Sequence, residues 1–331
     1  MFVQKNLIDE LRLIWQKAQQ QAYQNMNEAL LRAYWQIGER IVKEEQHGKN
    51  RAEYDKKTLQ TISLKLSEEF GKGFSVDNLE NMRRFYWVYS NSETLSRNLE
   101  SPFRLSWSHY LQLIKIPQEQ ERLFYEIESL QNAWSVRELK RQIQSALYVR
   151  LLNQRNPEEI LALSTKGLAV QTAKDLVKDP YILEFLGLQN EKSFSENQLE
   201  QAIIDKLEHF LLELGKGFTF VARQKRISIE EKHFFVDLVF YNRLLRCFVL
   251  IDLKIGDLKH QDLGQIQMYV NFYDRFVKLE EENKTIGIVL CQSKNDTLVE
   301  ITLPENNDQI FASRYQTVLP SKEDLQKLLN P

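Results

Sequence analysis

The feature that most constrains this chain is a change of hydrophobic period. Up to about residue 214 the apolar residues recur at three- and four-residue spacing, as in LIDELRLIWQKAQQQAYQNMNEALLRAYWQIGERIVKEEQ, which holds one glycine and no proline. That is the pattern of amphipathic helices. After residue 217 the period shortens to β-branched and aromatic runs: FTFVARQKRISI, HFFVDLVFYN, RCFVLIDLKI and, beyond one more helical stretch, TIGIVLC. Such runs read as strands. Three in succession predict an antiparallel meander, and the intervening helix predicts that TIGIVLC returns parallel, giving a mixed sheet flanked by helices.

A chain of 331 residues has room for two domains with cores of their own. The polar NQRNPEE and a mixed-polarity stretch separate the two patterns. They divide the chain into a helical domain at 1–150, a linker region at 151–178 and a sheet domain at 179–331. The tetrapeptide GKGF occurs at 71–74 and again at 215–218, each time after an apolar helix, which is recurring helix-stop chemistry rather than a repeat.

Composition excludes several classes. Cys247 and Cys291 each lie inside an apolar run, as buried thiols do, and two cysteines make no disulfide framework. No stretch approaches a membrane span, and MFVQKNLIDELRLIWQ lacks the pattern of a cleaved leader, so a cytoplasmic protein is expected. The five histidines are scattered, without zinc-ligand spacing. Charge is nearly balanced: 22 basic against 19 acidic residues in the first 150, and 22 against 27 in the remainder. A mild basic excess in the helical half marks where a phosphate-binding surface is to be sought.

Two helices there are candidates. SVDNLENMRRFYWVY has Ser75 as N-cap, and its apolar positions Leu79, Met82, Phe85, Tyr86 and Tyr89 leave Arg83 and Arg84 toward another side. WSVRELKRQIQSAL opens on a Ser135–Glu138 capping box and projects Arg137, Lys140 and Arg141. Arg223, Gln224 and Lys225, on a strand of the second domain, are further candidates for contact with a nucleic-acid backbone. His109 is assigned a polar contact inside the helical domain.

The chemistry concentrates in VDLVFYNRLLRCFVLIDLK, residues 236–254. A hairpin closed by Arg243–Arg246 sets Asp237 across from Asp252, where like charges destabilise a sheet. Alternation puts Lys254 on the face of Asp252. One ammonium does not neutralise two desolvated carboxylates, so a divalent cation completes the balance. Magnesium prefers such oxygens and keeps waters that a phosphate can replace. Asp237, Asp252 and the Leu253 carbonyl are the expected metal ligands. Glu208 is added as a fourth, from its helical spacing to Ile204 and Leu211.

Asp237 followed by Asp252-Leu253-Lys254, after a helix bearing Glu208, resembles the signature of the PD-(D/E)xK nuclease superfamily. DPYILEFLGL, LGKGFTFVARQ, GQIQMYVNFYD and TIGIVLC, together with LRAYWQIGERI, EFGKGFS, NMRRFYWVY, LSWSHY and WSVREL, resemble the YhcG-like family of that superfamily over nearly the whole chain. Valine precedes Asp237 where the superfamily has proline, and Asp252 stands where relatives commonly have glutamate. The resemblance implies a restriction-endonuclease-like α/β domain and hydrolysis of DNA phosphodiesters with Mg2+, or Mn2+. It implies Asp237, Asp252, Lys254 and Glu208 as catalytic residues. Gln265 and Tyr269 resemble the accessory QxxxY of RecB-like nucleases, and a homodimer is the superfamily's suggestion. The alternative is a catalytically silent DNA-binding or scaffold protein of a restriction or defence complex.

Overall fold

The computed structural model describes residues 2–47, 51–90, 103–152, 155–188, 194–321 and 324. It divides into two compact units, Met1–Lys140 and Arg141–Pro331. Residues 153–154 of the expected linker and the end of the sheet domain, 325–331, lie outside the described residues.

The first unit is helical: α1 (Phe2–His47), α2 (Arg51–Phe70), α3 (Val76–Ser90), α4 (Trp107–Leu113), α5 (Glu119–Gln131) and the start of α6 (Val136–Gln144). Caps set two of the starts, Ser75 Oγ accepting from Asn78 N at 3.3 Å and Ser135 Oγ from Glu138 N at 3.1 Å. Helix α3 buries Leu79, Met82, Phe85 and Tyr89 against Ile41 of α1 and Leu59 of α2, and against the rings of Phe103, Trp107 and Tyr110. The Tyr89 and Tyr110 hydroxyls donate to the buried Glu126 carboxylate at 3.0 and 2.8 Å, which satisfies a group that burial pushes toward its neutral form. His109 makes the polar contacts assigned to it: Nδ1 to Ser106 Oγ at 2.7 Å and Nε2 to the Trp134 carbonyl at 3.0 Å.

The second unit continues with α7 (Leu147–Leu152), α8 (Pro157–Lys166), α9 (Ala173–Leu176), β1 (Tyr181–Ile182), α10 (Glu196–Asp205), α11 (Leu207–Leu214), β2 (Phe218–Ile229), β3 (Lys232–Asn242), β4 (Cys247–Leu253), α12 (His260–Phe276), β5 (Ile286–Cys291), α13 (Asp296–Thr302) and β6 (Ile310–Gln316). The region expected as a linker is built into this unit, since it carries α8 and α9 and gives Leu176 and Val177 to the core.

The sheet order is β1-β6-β5-β4-β3-β2. As expected, β2, β3 and β4 form an antiparallel meander and β5 joins β4 in parallel. Two short strands beyond expectation, β6 and β1, extend the parallel edge. One face of the sheet, with Leu238, Phe240, Val249, Ile251 and Leu253, packs on Leu199 and Ile203 of α10 and Phe210 of α11. The other, with Val239, Leu250 and Val289, packs on Leu263, Ile266 and Tyr269 of α12. Each apolar side chain so buried contributes on the order of 1.5–3 kcal/mol.

Below the first face, Glu213 is fully buried and bonded to Arg150 Nη1 at 2.7 Å and Arg141 Nη2 at 3.1 Å. Burial pushes its carboxyl upward, but Arg150, Lys178 and Arg141 outweigh that and hold it at about 2. Arg141 also pairs with Glu184 at 2.8 Å.

Close approach decides two glycines. A Cβ on Gly287 of β5 would meet the side chains of Ile266 at 2.7 Å and Val270 at 2.8 Å, so only glycine lets α12 lie this near the sheet. On Gly38 of α1 it would stand 2.1 Å from the Met82 carbonyl oxygen of α3. Gly38→Ala is therefore expected to destabilise the helical unit by about 1–3 kcal/mol or more, as overpacking does, seen as a lower urea midpoint with an unchanged slope.

Candidate active site

The β3–β4 hairpin turns where expected. Asn242 pairs with Cys247, and the Asn242 Oδ1 accepts from the backbone N–H of Leu244 and Leu245 at 3.0 and 3.1 Å, an Asx turn that fixes the loop Arg243–Arg246. The ladder runs from there to Leu238 opposite Ile251. Asp237 and Asp252 occupy the next position of that register.

Here the pairing changes character. The Leu253 backbone N–H donates to Asp237 Oδ2 at 2.8 Å, so the side chain takes the place of a backbone acceptor. Lys254, held by its own N–H to the Leu290 carbonyl at 2.8 Å, puts Nζ 2.8 Å from Asp252 Oδ2. That is ion-pair distance, and the contact gives the buried Asp252 its counter-charge. Asp252 is 1% exposed while Asp237 is half-buried.

The electrostatics follow. Burial pushes the Asp252 carboxyl up to about 7; Lys254 pulls it down and Asp237 pushes it further up. Burial also raises Asp237, against the Leu253 N–H and Lys254. For Lys254 burial works downward, but the charges of Asp252, Glu196 and Asp237 outweigh it and the ammonium is held above its usual range. The cluster is short of positive charge even with its lysine in place.

The structure corrects the assignment of Glu208. The expected single helix is broken at Lys206, whose φ of −120° and ψ of 31° separate α10 from α11, and Glu208 is exposed. The break cancels the spacing argument, because Ile204 and Glu208 no longer share one helix. The buried acid linked to the site, through Gln224, is Glu200 of α10, 3% exposed, beside Leu199 and Ile203 of the core. Glu196, one turn earlier, accepts from the Ile255 N–H at 3.3 Å.

The QxxxY pair is resolved in detail. Gln265 Nε2 donates to the Tyr269 hydroxyl at 2.5 Å, and that hydroxyl donates to the Phe235 carbonyl at 3.0 Å. Tyr269 is fully buried, and burial raises its phenol. The relay pins the backbone two residues before Asp237. Beside it, an added Cβ on Gly264 would meet nothing within 4 Å.

Three of the basic candidates pair with carboxylates, the exposed Arg223 among them. Arg83 is tied to Glu45 at 2.8 Å, and Arg223 to Glu200 at 3.0 Å. Arg141, expected to project outward, is instead spent inside the second unit on Glu184 and Glu213 and stacks over Phe185 at 5.2 Å. Arg84, Arg137, Lys140 and Lys225 are exposed.

Among the described residues, no three His, Cys, Asp or Glu side chains converge as a ready metal cage. The donors that do meet here are two carboxylates, Asp237 and the buried Asp252. Such hard oxygens suit a divalent cation that retains waters. Also among the described residues, no helix is long and apolar enough to cross a membrane.

A mixed sheet flanked by helices, with acids at the end of its central hairpin and an Asp-x-Lys strand, is the restriction-endonuclease-like fold of the PD-(D/E)xK nucleases. Residues 174–330 match the model of the YhcG PDDEXK nuclease domain and residues 10–150 that of the DUF1016 N-terminal domain. Over 334 aligned residues the chain is 34% identical to the Escherichia coli (strain K12) protein named "Putative nuclease YhcG", covering 93% of this chain and 88% of that one. The chain belongs to the YhcG family.

Two solved structures are similar over part of their length. One is a repair endonuclease from Pyrococcus abyssi, at 18% identity and a TM-score of 0.26, covering 38% of this chain and 50% of that chain. The other is a complex of EndoMS with double-stranded DNA, at 18% identity and a TM-score of 0.27, covering 40% and 49%. The chain thus spans about half the length of each.

The raised Asp252 carboxyl has a direct readout. Its folded value of about 7 lies above the roughly 3.9 of an unfolded aspartate, so its contribution to stability is complete below about pH 4 and lost as the pH rises through 7. Carboxyl 13C NMR of the ion-free protein should show a midpoint near 7 for Asp252, lowered by Asp237→Asn, which removes a like charge, and raised by Lys254→Met.

Proposed function

We propose that this chain is a metal-dependent deoxyribonuclease in which Asp237 and Asp252, with the Leu253 carbonyl, hold Mg2+ or Mn2+. The observation that carries this reading is Asp237 beside the buried Asp252, two acids with the Lys254 ammonium, 2.8 Å from Asp252 Oδ2, as their shared counter-charge. Glu200 takes the place first given to Glu208 as the helix carboxylate of the site. When bound, the cation polarises the scissile phosphate and lowers the pKa of a coordinated water.

The rest belongs to the chain. Lys254, kept protonated by its acidic neighbours, stands where it orients the attacking water and offsets charge developing on the phosphate. Tyr269, through the Phe235 carbonyl, holds the strand that presents Asp237. Exposed Arg84, Arg137 and Lys140 of the helical unit, and Lys225 of the nuclease domain, supply phosphate contacts, which position nucleic acid without reading its sequence. Two copies would be needed for one chain to cut one strand each of a duplex.

Purified protein incubated with linear and circular DNA and with RNA is expected to cleave DNA in Mg2+ or Mn2+ and not in EDTA. Lys254→Ala, shown to be folded by circular dichroism, should lose at least about a hundredfold in rate, the scale of one preorganised group aimed at developing charge. Equal cleavage by that variant would sink the reading. Binding of DNA by the native chain without any product would favour the silent, scaffolding alternative.

A further inference from the structure

We propose that Gln224 is a positioning residue of the site, an amide clamp that holds Asp237 to the buried Glu200 and thereby sets the orientation of the Asp237 carboxylate. Its Nε2 donates to Asp237 Oδ1 at 3.0 Å and also to Glu200 Oε2. An amide NH2 has two hydrogens, so both bonds are made at once. With the Leu253 N–H on Oδ2 at 2.8 Å, each oxygen of Asp237 then has a donor fixed to the sheet, and the plane of the carboxylate is set.

The backbone is bent to allow this. Neighbouring residues on a strand project to opposite faces. Arg223 and Gln224 nevertheless both reach Glu200, Arg223 Nε lying 3.0 Å from Oε1 while Gln224 takes Oε2. Gln224 has φ of +46°, in the left-handed region that a non-glycine residue adopts only at a cost, and the strand register shifts between Phe220 and Ala222 just before it. Strain of this kind persists where surrounding contacts over-determine it, and it gathers at functional sites. Here those contacts are two carboxylates, one 3% exposed, for which the amide is a shared donor.

The inference rests on the proposed metal-holding role of Asp237. Partners that orient a ligating carboxylate are worth about 10–100-fold in metal affinity. Two variants separate this from a structural role. Gln224→Leu keeps the bulk without the donor; Gln224→Gly removes the donor and relieves the left-handed backbone. Mn2+ binding to the full chain, without nucleic acid, is measured by electron paramagnetic resonance and calorimetry, beside the melting temperature and the Mn2+ dependence of cleavage.

Both variants are expected to bind Mn2+ about tenfold or more weakly. Gln224→Gly should melt close to the native chain, and its cleavage rate should recover at high Mn2+. Binding within twofold of native by folded Gln224→Gly, or tighter binding, overturns the inference. Asp237→Asn serves as the control: if it abolishes Mn2+ binding while Gln224→Gly leaves it unchanged, only the clamp falls. If Asp237→Asn binds Mn2+ as the native chain does, the metal-holding reading falls and the clamp with it.

Discussion

Everything distinctive in the second unit is arranged around two carboxylates placed side by side at the end of a sheet. A hairpin that continued as an ordinary ladder would bury Asp237 against Asp252 with nothing between them but repulsion. Instead the ladder stops at Leu238 and Ile251, and the Leu253 N–H is free to bond the Asp237 side chain. Gln224 donates to Asp237 Oδ1, and the Lys254 ammonium lies 2.8 Å from Asp252 Oδ2. The compensation is incomplete, as the upward displacement of both acids records. A site left short of positive charge is costly for folding and suited to a cation, and the apolar layers above and below the sheet supply the stability that such a site subtracts.

Rigidity comes from elements that contribute no charge to the cluster. Gly287 lets α12 settle on β5, which brings Tyr269 under β3, and the Gln265–Tyr269–Phe235 relay then fixes the strand just before Asp237. On the other face, the fully satisfied Glu213 locks α11 to the Ile182 N–H of β1 at 3.0 Å and to Arg150 of α7. Breaking one member of such a buried network leaves an uncompensated charge, whereas the site's own acids are already poorly compensated. The chain thus keeps its well-paired ions for architecture and its ill-paired ones for the proposed chemistry.

The sequence made the strands and the central pair legible because both depend on short-range rules. Period-two runs located β2 to β5, and a four-residue loop fixed the register that aligns Asp237 with Asp252. Three things escaped. Strand β6, IFASRYQ, has serine and arginine among its apolar residues and gains its place by pairing with β5 and β1. The break at Lys206 carries neither proline nor glycine, so a continuous helix was the natural reading and Glu208 was put on the wrong face. The role of Gln224 depends on a positive φ that no local signal announces in a glutamine.

The basic residues show why such a count misleads. Seven Arg and Lys candidates share a composition that points to phosphate, but Arg83, Arg141 and Arg223 each face a carboxylate of their own unit. An arginine so paired brings its guanidinium to a phosphate only by giving up that partner, and for Arg141 the partner is interior. Exposed Arg84, Arg137, Lys140 and Lys225 carry no such cost. Affinity for a polyanion grows with the number of cations that release its counterions, so under the proposed function the exposed residues of each unit are the ones that would count. Arg223, by holding Glu200, contributes to the geometry of the acids.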